Sequence, residues 1–530
     1  MKRTLALGLL GLAMALGACS SPAEEESPAA GDENDLTSVT ARQRKLTFEG
    51  VVYVGENATD DEILEAAHKQ TQTAFGALLN SEISVRTREL QNLTTKSLKK
   101  RRIVVIDPSR ANDPGYPGLE VKYTYEDDAV VPVAMARRTT LPLALIAKGS
   151  EGDHVRKVMT ACTKADKEAR EDADGGLLWY DFNPSKASCR TEIEAEQKII
   201  DADTKKLTEP KVQVTKSKIN RTFVPTIMRF ERASTATTAT YPEYDRLFSG
   251  GIERNVLSVA MLVGRLAHER TEAVKDDGYY EWMDSLGVVF EAHPQFALTK
   301  IEPATDISKA TVNGKTYANL GFKDFVRWTV YEDGWPAGLP AADRKALAKQ
   351  IADKLDGKWI TFEKKVMVKK GDAAPTDFTL RITTLFGADE DPEPHRQAVR
   401  RGDVVTYNGH SYIGYGPLDP SNFTRQSFPN SYQLFWFDSC VSYNYYEKDF
   451  FTLKEGGAKN LEIITNGLEA PEYQSGAAQG ALVAKLIDGS MPSYQTLLKA
   501  ASATDSLRVV DGEIDNAYHP SRVRLSVTPK

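Results

Sequence analysis

The chain is predicted to carry a C-terminal α/β domain, a mostly parallel sheet flanked by helices, preceded by α+β domains. Three observations predict this. Over residues 376–530 short apolar runs alternate with helical segments: DFTLRITTLFG, helical PEPHRQAVRRG, DVVTYNGH, YQLFWFDSC, NLEIITNG and helical GAAQGALVAKLIDG. These runs are continuous rather than alternating, as expected of strands buried on both faces of a parallel sheet. Upstream, strands and helices are mixed without that regular alternation, which fits α+β domains over 46–210 and 211–375.

At the N-terminus, Met1-Lys2-Arg3 precedes an uncharged run from Thr4 to Ala18, the pattern of a secretion signal. The run is shorter than the roughly 20 apolar residues of a membrane span. It ends in Leu16-Gly17-Ala18-Cys19, which resembles the lipobox of bacterial lipoproteins. The resemblance implies cleavage before Cys19, diacylglycerol on its thiol, acylation of the new amino terminus and, through that lipid, a membrane as partner. Residues 1–19 are thus the expected signal peptide. The protein is expected to be exported and anchored to the cell envelope, with Ser20 favouring the outer membrane. Residues 20–45 are acidic, rich in Pro, Ala, Ser and Gly, and nearly free of large apolar side chains, so a disordered tether is expected.

From 46 onward the chain is long enough for several domains with sizeable cores. Its net charge of −7 leaves no basic footprint, and nucleic acid is not an expected partner. Between 46 and 210 the reading is a strand (LTFEGVVYVG), an amphipathic helix opened by Asp60 and Asp61, and strands RRIVVID, LEVKYTYE and VVPVAMA. Between 211 and 375 it is a strand (FVPTIMRFE), a helix (ERNVLSVAMLVGRLAHERTEAV), further strand-like runs and a second helix (PAADRKALAKQIADKL). Four cysteines are present, and with Cys19 assigned to lipid three remain. Cys162 and Cys189 lie 27 positions apart in one charged stretch and form the natural disulfide pair of an oxidising compartment, the alternative being two reduced thiols. Cys440 is left over.

In the C-terminal domain the apolar strands end in polar residues at His410, Cys440 and Thr465-Asn466. That edge of an α/β sheet is where ligands bind. A thiol nucleophile needs an imidazole to take its proton and later protonate the leaving group. His410 and Cys440 are 30 residues apart, room for a loop and one strand. A hydrophobic block ending in Gly-His (VVTYNGH) followed by a second ending in Asp-Ser-Cys (LFWFDSC) resembles the clan CD cysteine peptidases, most closely the gingipain-like branch. The resemblance covers about Phe378 to Ala500. It implies a caspase-like domain over 376–530, Cys440 as nucleophile, His410 as general acid and base, a backbone N–H near Gly409 or Ser411 in the oxyanion hole, and a protein or peptide substrate. Ser411 stands where the clan has Gly.

Two other readings compete. The same domain, or those upstream, can serve as a non-catalytic module binding a protein or envelope polymer. Gly409-His410-Ser411 also imitates the start of a G-x-S-x-G elbow, with Ser411 attacking and His519 as base, but position 413 is Ile and no helix pattern follows. The scattered histidines and the absence of paired C-x-x-C or H-E-x-x-H give no metal ligand set, and no phosphate-binding glycine motif appears, so no cofactor is expected. The aromatic group Tyr443, Tyr445, Tyr446, Phe450 and Phe451 is read as core or cleft packing.

Overall fold

The computed structural model describes residues 35–150, 152–163, 167–232, 234–236, 238–267, 271–388, 391–446, 448–471, 474–501 and 506–530. The expected signal run and Cys19 lie outside the described residues.

The first part of the chain forms a seven-stranded sheet. Its main strands are β1 (Ala41–Val54), β2 (Leu98–Ile106), β3 (Tyr116–Pro132), β4 (Thr140–Ile146) and β5 (Phe223–Arg232), in the order β4-β5-β1-β3-β2. Helices α1 (Asp60–Gln72), α2 (Phe75–Leu79), a helical turn Leu178–Asp181 and α3 (Ala187–Thr204) are among the helices of this part. The start of α1 is fixed by a capping box: the Thr59 hydroxyl accepts from the Glu62 N–H and the Glu62 carboxylate accepts from the Thr59 N–H.

Two expectations are corrected here. The tether was drawn to residue 45, yet Asp35–Thr37 is a strand and β1 begins at Ala41. The polar composition misled because the polar side chains are bonded inside the fold. Arg44 is 4% exposed and its guanidinium donates to the carbonyls of Glu231, Ala136 and Arg138, so burial leaves no unpaired charge-bearing donor to discourage the strand. The boundary at 210/211 falls inside this sheet, since Gln213–Thr215 pairs with β2 and β5 pairs with β1 and β4.

The second sheet has eleven strands. Its centre is β6 (Val256–Val263), β7 (Trp359–Lys370), β8 (Thr376–Phe386), β9 (Val404–Asn408), β10 (Gln433–Asp438), β11 (Leu461–Asn466) and β12 (Arg508–Asp511), in the order β7-β8-β6-β9-β10-β11-β12. Strands β8, β6, β9, β10 and β11 are mutually parallel, and antiparallel β7 and β12 flank them. The mixed α/β architecture of the expectation is therefore present. The segment 253–274, read as a helix, contains β6 instead, and the boundary at 375/376 falls inside one sheet. Every residue of β6 is buried. A short apolar run buried on both faces carries no period, and its strand neighbours decide its conformation.

On one face lie α4 (Asp277–Ala292) and α7 (Ser475–Leu486). They approach so closely that a Cβ on Gly476 would sit 2.2 Å from the Glu281 carbonyl oxygen, and one on Gly480 2.4 Å from that of Ser285. Leu434, Trp436 and Ile464 point to this side, sharing a core with Trp282, Leu286 and Leu482. Their strand neighbours Phe435, Phe437, Val405 and Tyr407 share the opposite core with Phe48 and Tyr125 of the first sheet, so the N-terminal part packs on the other face. Helix α5 (Arg344–Leu355) buries Leu347 and Ile351 in the first of these cores, and α6 (Pro392–Arg401) buries Ala398 and Val399 in the second. The aromatic group is core: Tyr443, Tyr445, Tyr446, Phe450 and Phe451 are all buried. No helix among the described residues is long and apolar enough to cross a membrane. Cys162 and Cys189 form a disulfide with Cα atoms 4.7 Å apart.

Candidate cysteine-histidine site

The five parallel strands run, in chain order, 2-1-3-4-5, so the chain reverses direction across the sheet between β6 and β9. The crevice at the C-terminal ends of such strands is the natural ligand site of an α/β sheet. His410 leaves the end of β9 and Cys440 the end of β10. The last rung between the two strands pairs Asn408 with Asp438, and His410 and Cys440 each follow that rung by two residues. The 30-residue spacing read from the sequence is thus the register of the ladder itself. Adjacent strands are about 4.8 Å apart.

The imidazole is oriented from β6. His410 Nε2 lies 3.0 Å from the carbonyl oxygen of Leu266, just beyond the end of that strand. A carbonyl only accepts, so Nε2 carries the hydrogen and, in the neutral ring, Nδ1 holds the lone pair. The His410 carbonyl accepts from the Tyr407 hydroxyl at 2.9 Å, and the Ser411 carbonyl accepts from the Tyr446 hydroxyl at 2.6 Å. Gly409 has φ +156°, and a Cβ there would sit 2.6 Å from the Tyr407 hydroxyl, so glycine is required by close approach. Ser411 adopts φ −80°, ψ −16°, a conformation open to any residue, so a non-glycine residue there carries no backbone strain.

The cysteine turn is held as firmly. The Ser442 hydroxyl donates to the Phe437 carbonyl and accepts from the Asn466 N–H, and the Val441 N–H donates to the Leu468 carbonyl at 3.0 Å. Val441 sits at φ +50°, unfavourable for a β-branched residue, and such strain persists only where surrounding bonds enforce it. Below the thiol, fully buried Asp438 accepts from Asn466 Nδ2 at 2.7 Å and pairs with Arg508 at 3.2 Å.

The thiol is half-buried. Burial pushes it up to about 11; Glu469 and Asp438 add to the rise and the Ala470 N–H opposes it. Tyr180, from the helical turn Leu178–Asp181, donates to Glu469 Oε1 at 3.4 Å and lies within electrostatic reach of Cys440. The turn is clamped from both sides. Phe75 packs on Trp179 and Tyr180 with ring centroids 5.3 and 5.4 Å away. Leu178 and Phe182 share a small core with the disulfide cysteines. Below the sheet's edge, Glu281 of α4 is fully buried and raised to about 7 by that burial, opposed by the Gly476 N–H.

Of the residues expected in the site, His410, Cys440, Gly409 and Ser411 come to one sheet edge. His519 is bonded to Ser521 and packs on Tyr241, and makes no contact with Ser411 among the described residues. Leu266, Tyr180, Glu469 and Glu281 were not legible in the sequence. Leu266 acts through a backbone carbonyl that no side chain advertises, and Tyr180 is brought in by a helical turn, Leu178–Asp181, far away in the sequence. Asp438, two positions before Cys440, had a signal: an acid at the end of the apolar run Leu434–Phe437 must be paired or near chemistry. No protein-family model, curated protein or solved structure matches the chain.

Proposed function

We propose that the chain is an exported, membrane-tethered cysteine peptidase whose large-sheet domain is caspase-like, with Cys440 as nucleophile and His410 as general acid and base. The observation that carries this reading is the in-register placement of the two residues at neighbouring parallel strand ends, with His410 oriented by the Leu266 carbonyl. Cys440 Sγ would attack the scissile carbonyl, the sulfur-bound proton would pass to His410 Nδ1 and then to the leaving amine, and water would hydrolyse the thioester. The Ser411 N–H, beside the histidine, would stabilise the oxyanion. The lipid on Cys19 and the tether that follows would hold the enzyme at the envelope.

A second reading, a non-catalytic caspase-like module that binds a protein or envelope polymer, is favoured by one observation, the burial-raised thiol beneath Tyr180. Thiol reactivity separates the two. In protein lacking residues 1–19, iodoacetamide at neutral pH alkylates Cys440 of an active dyad, and His410→Ala slows that alkylation. Cleavage of a peptide library that is lost in Cys440→Ala completes the case. A thiol whose reactivity ignores His410 refutes it.

A further inference from the structure

We infer that Tyr407 is a positioning residue that aims the Ser411 N–H at the oxyanion. The inference rests on Cys440 acting as an acyl-accepting nucleophile.

Tyr407 is 1% exposed and lies on the face of β9 turned toward the N-terminal sheet, its ring 5.3 Å from that of His395. A residue with this burial needs only to be apolar, and phenylalanine would fill the space. The hydroxyl is instead built into a tight backbone pocket. It donates to the His410 carbonyl at 2.9 Å, and a Cβ at Gly409 or at Gly264 would approach it to 2.6 and 3.0 Å. Two glycines on two neighbouring strand ends thus make room for one oxygen. The His410–Ser411 peptide is trans, so its C=O and N–H point in opposite directions. Fixing the carbonyl on Tyr407 therefore fixes the Ser411 N–H away from Tyr407. That N–H has no acceptor among the described residues, whereas the Ser411 carbonyl has two donors, the Gly414 N–H and the Tyr446 hydroxyl. An unspent backbone donor beside the imidazole, held by a buried hydroxyl, is the pre-aimed dipole that oxyanion stabilisation requires. The next two residues, Tyr412 and Ile413, both take left-handed φ, 51° and 52°. The segment would relax if the Tyr407 hydroxyl did not hold it.

The test compares two reactions of the same sulfur in Tyr407→Phe. With p-nitrophenyl acetate, the Sγ–C bond forms through a tetrahedral oxyanion, the thiol proton passes to His410, the ester C–O bond breaks and p-nitrophenolate leaves. With iodoacetamide, Sγ displaces iodide from carbon and no oxyanion forms. Loss of one oxyanion donor costs roughly 10²–10³ in rate, and a donor that is misaimed but present should cost about 10- to 100-fold. The expected result is that fall in the acylation rate with the alkylation rate unchanged. Tyr446→Phe, which removes one of the two donors to the Ser411 carbonyl and leaves the bond to the His410 carbonyl intact, should leave the ratio of the two rates unaltered. An unchanged ratio in Tyr407→Phe, or an equal fall in both variants, overturns the assignment. If the phenylalanine variant does not fold, Gly409→Ala reads the same ratio, because its Cβ would displace the hydroxyl from the carbonyl. If wild-type protein releases no more p-nitrophenolate than Cys440→Ala, the peptidase reading itself fails. Wild-type release with an unaltered Tyr407→Phe ratio overturns only the role of Tyr407.

Discussion

Replacing Tyr180 with alanine should make Cys440 more reactive, and the structure sets the size of the effect. Burial is the first cause of the rise of the thiol from 9 to about 11, and Tyr180 lies within electrostatic reach of Cys440 and is bonded to Glu469, whose charge adds to that rise. If the truncation returned the thiol to its ordinary value, the thiolate fraction at pH 7.5 would rise roughly a hundredfold. A less basic thiolate is also a weaker nucleophile, with a Brønsted slope of about 0.4–0.5, which takes back close to a factor of ten. The net expectation is alkylation up to roughly tenfold faster at pH 7.5, with the midpoint of the rate–pH profile moving from about 11 toward 9. The assay is iodoacetamide labelling of Cys440 followed by mass spectrometry from pH 7 to pH 11. A profile that superimposes on that of wild type would show that Tyr180 does not shield the thiol and would refute this reasoning.

Glu281→Gln should flatten the pH dependence of stability. Its folded value of about 7 lies above the ordinary 4.5, so the native state holds the proton between these values. The contribution is largest below pH 4.5 and is lost as pH rises through 7. At 1.36 kcal/mol per unit it amounts to about 3 kcal/mol. The stability of the variant relative to wild type, from urea denaturation, should therefore grow by about that amount between pH 4.5 and pH 8. A pH-independent difference would contradict it. Removing the disulfide with Cys162→Ser and Cys189→Ser frees a 27-residue loop and should cost about 3–4 kcal/mol on the loop-entropy scale, read from the denaturation midpoint. Gly476→Ala should lower stability by about 1–3 kcal/mol, because its Cβ meets the backbone oxygen of Glu281 and not a mobile side chain. An alanine variant as stable as wild type would mean that α4 and α7 can separate without loss.

Much of the site was legible because it is written in local pattern. Apolar runs ending in polar residues marked β9, β10 and β11, and the spacing of His410 and Cys440 anticipated a ladder register that pairs Asn408 with Asp438. The pairing of Cys162 with Cys189 was legible in their proximity in the chain. What local pattern could not give were facts of burial and partnership. The run containing β6 reads equally as a buried helix, and only its parallel neighbours β8 and β9 make it a strand. Asp35 to Lys45 reads as tether because its polar groups have no visible partners in sequence. Arg44 finds them nearly two hundred residues away, at Glu231 and Phe230.

The sequence by itself determined the apolar runs whose ends carry histidine and thiol and the nearness in the chain of the two cysteines that pair. These depend on residue type and spacing along one segment. Only the tertiary structure decided the surroundings of His410 and Cys440: the Leu266 carbonyl on His410, the Tyr407 hydroxyl on the His410 carbonyl, Glu469 beside the thiol with Tyr180 bonded to it, and the burial that keeps that thiol protonated. The proton affinity of a side chain is set by the dielectric and charges around it, and those come from chain segments that meet only when the sheets pack.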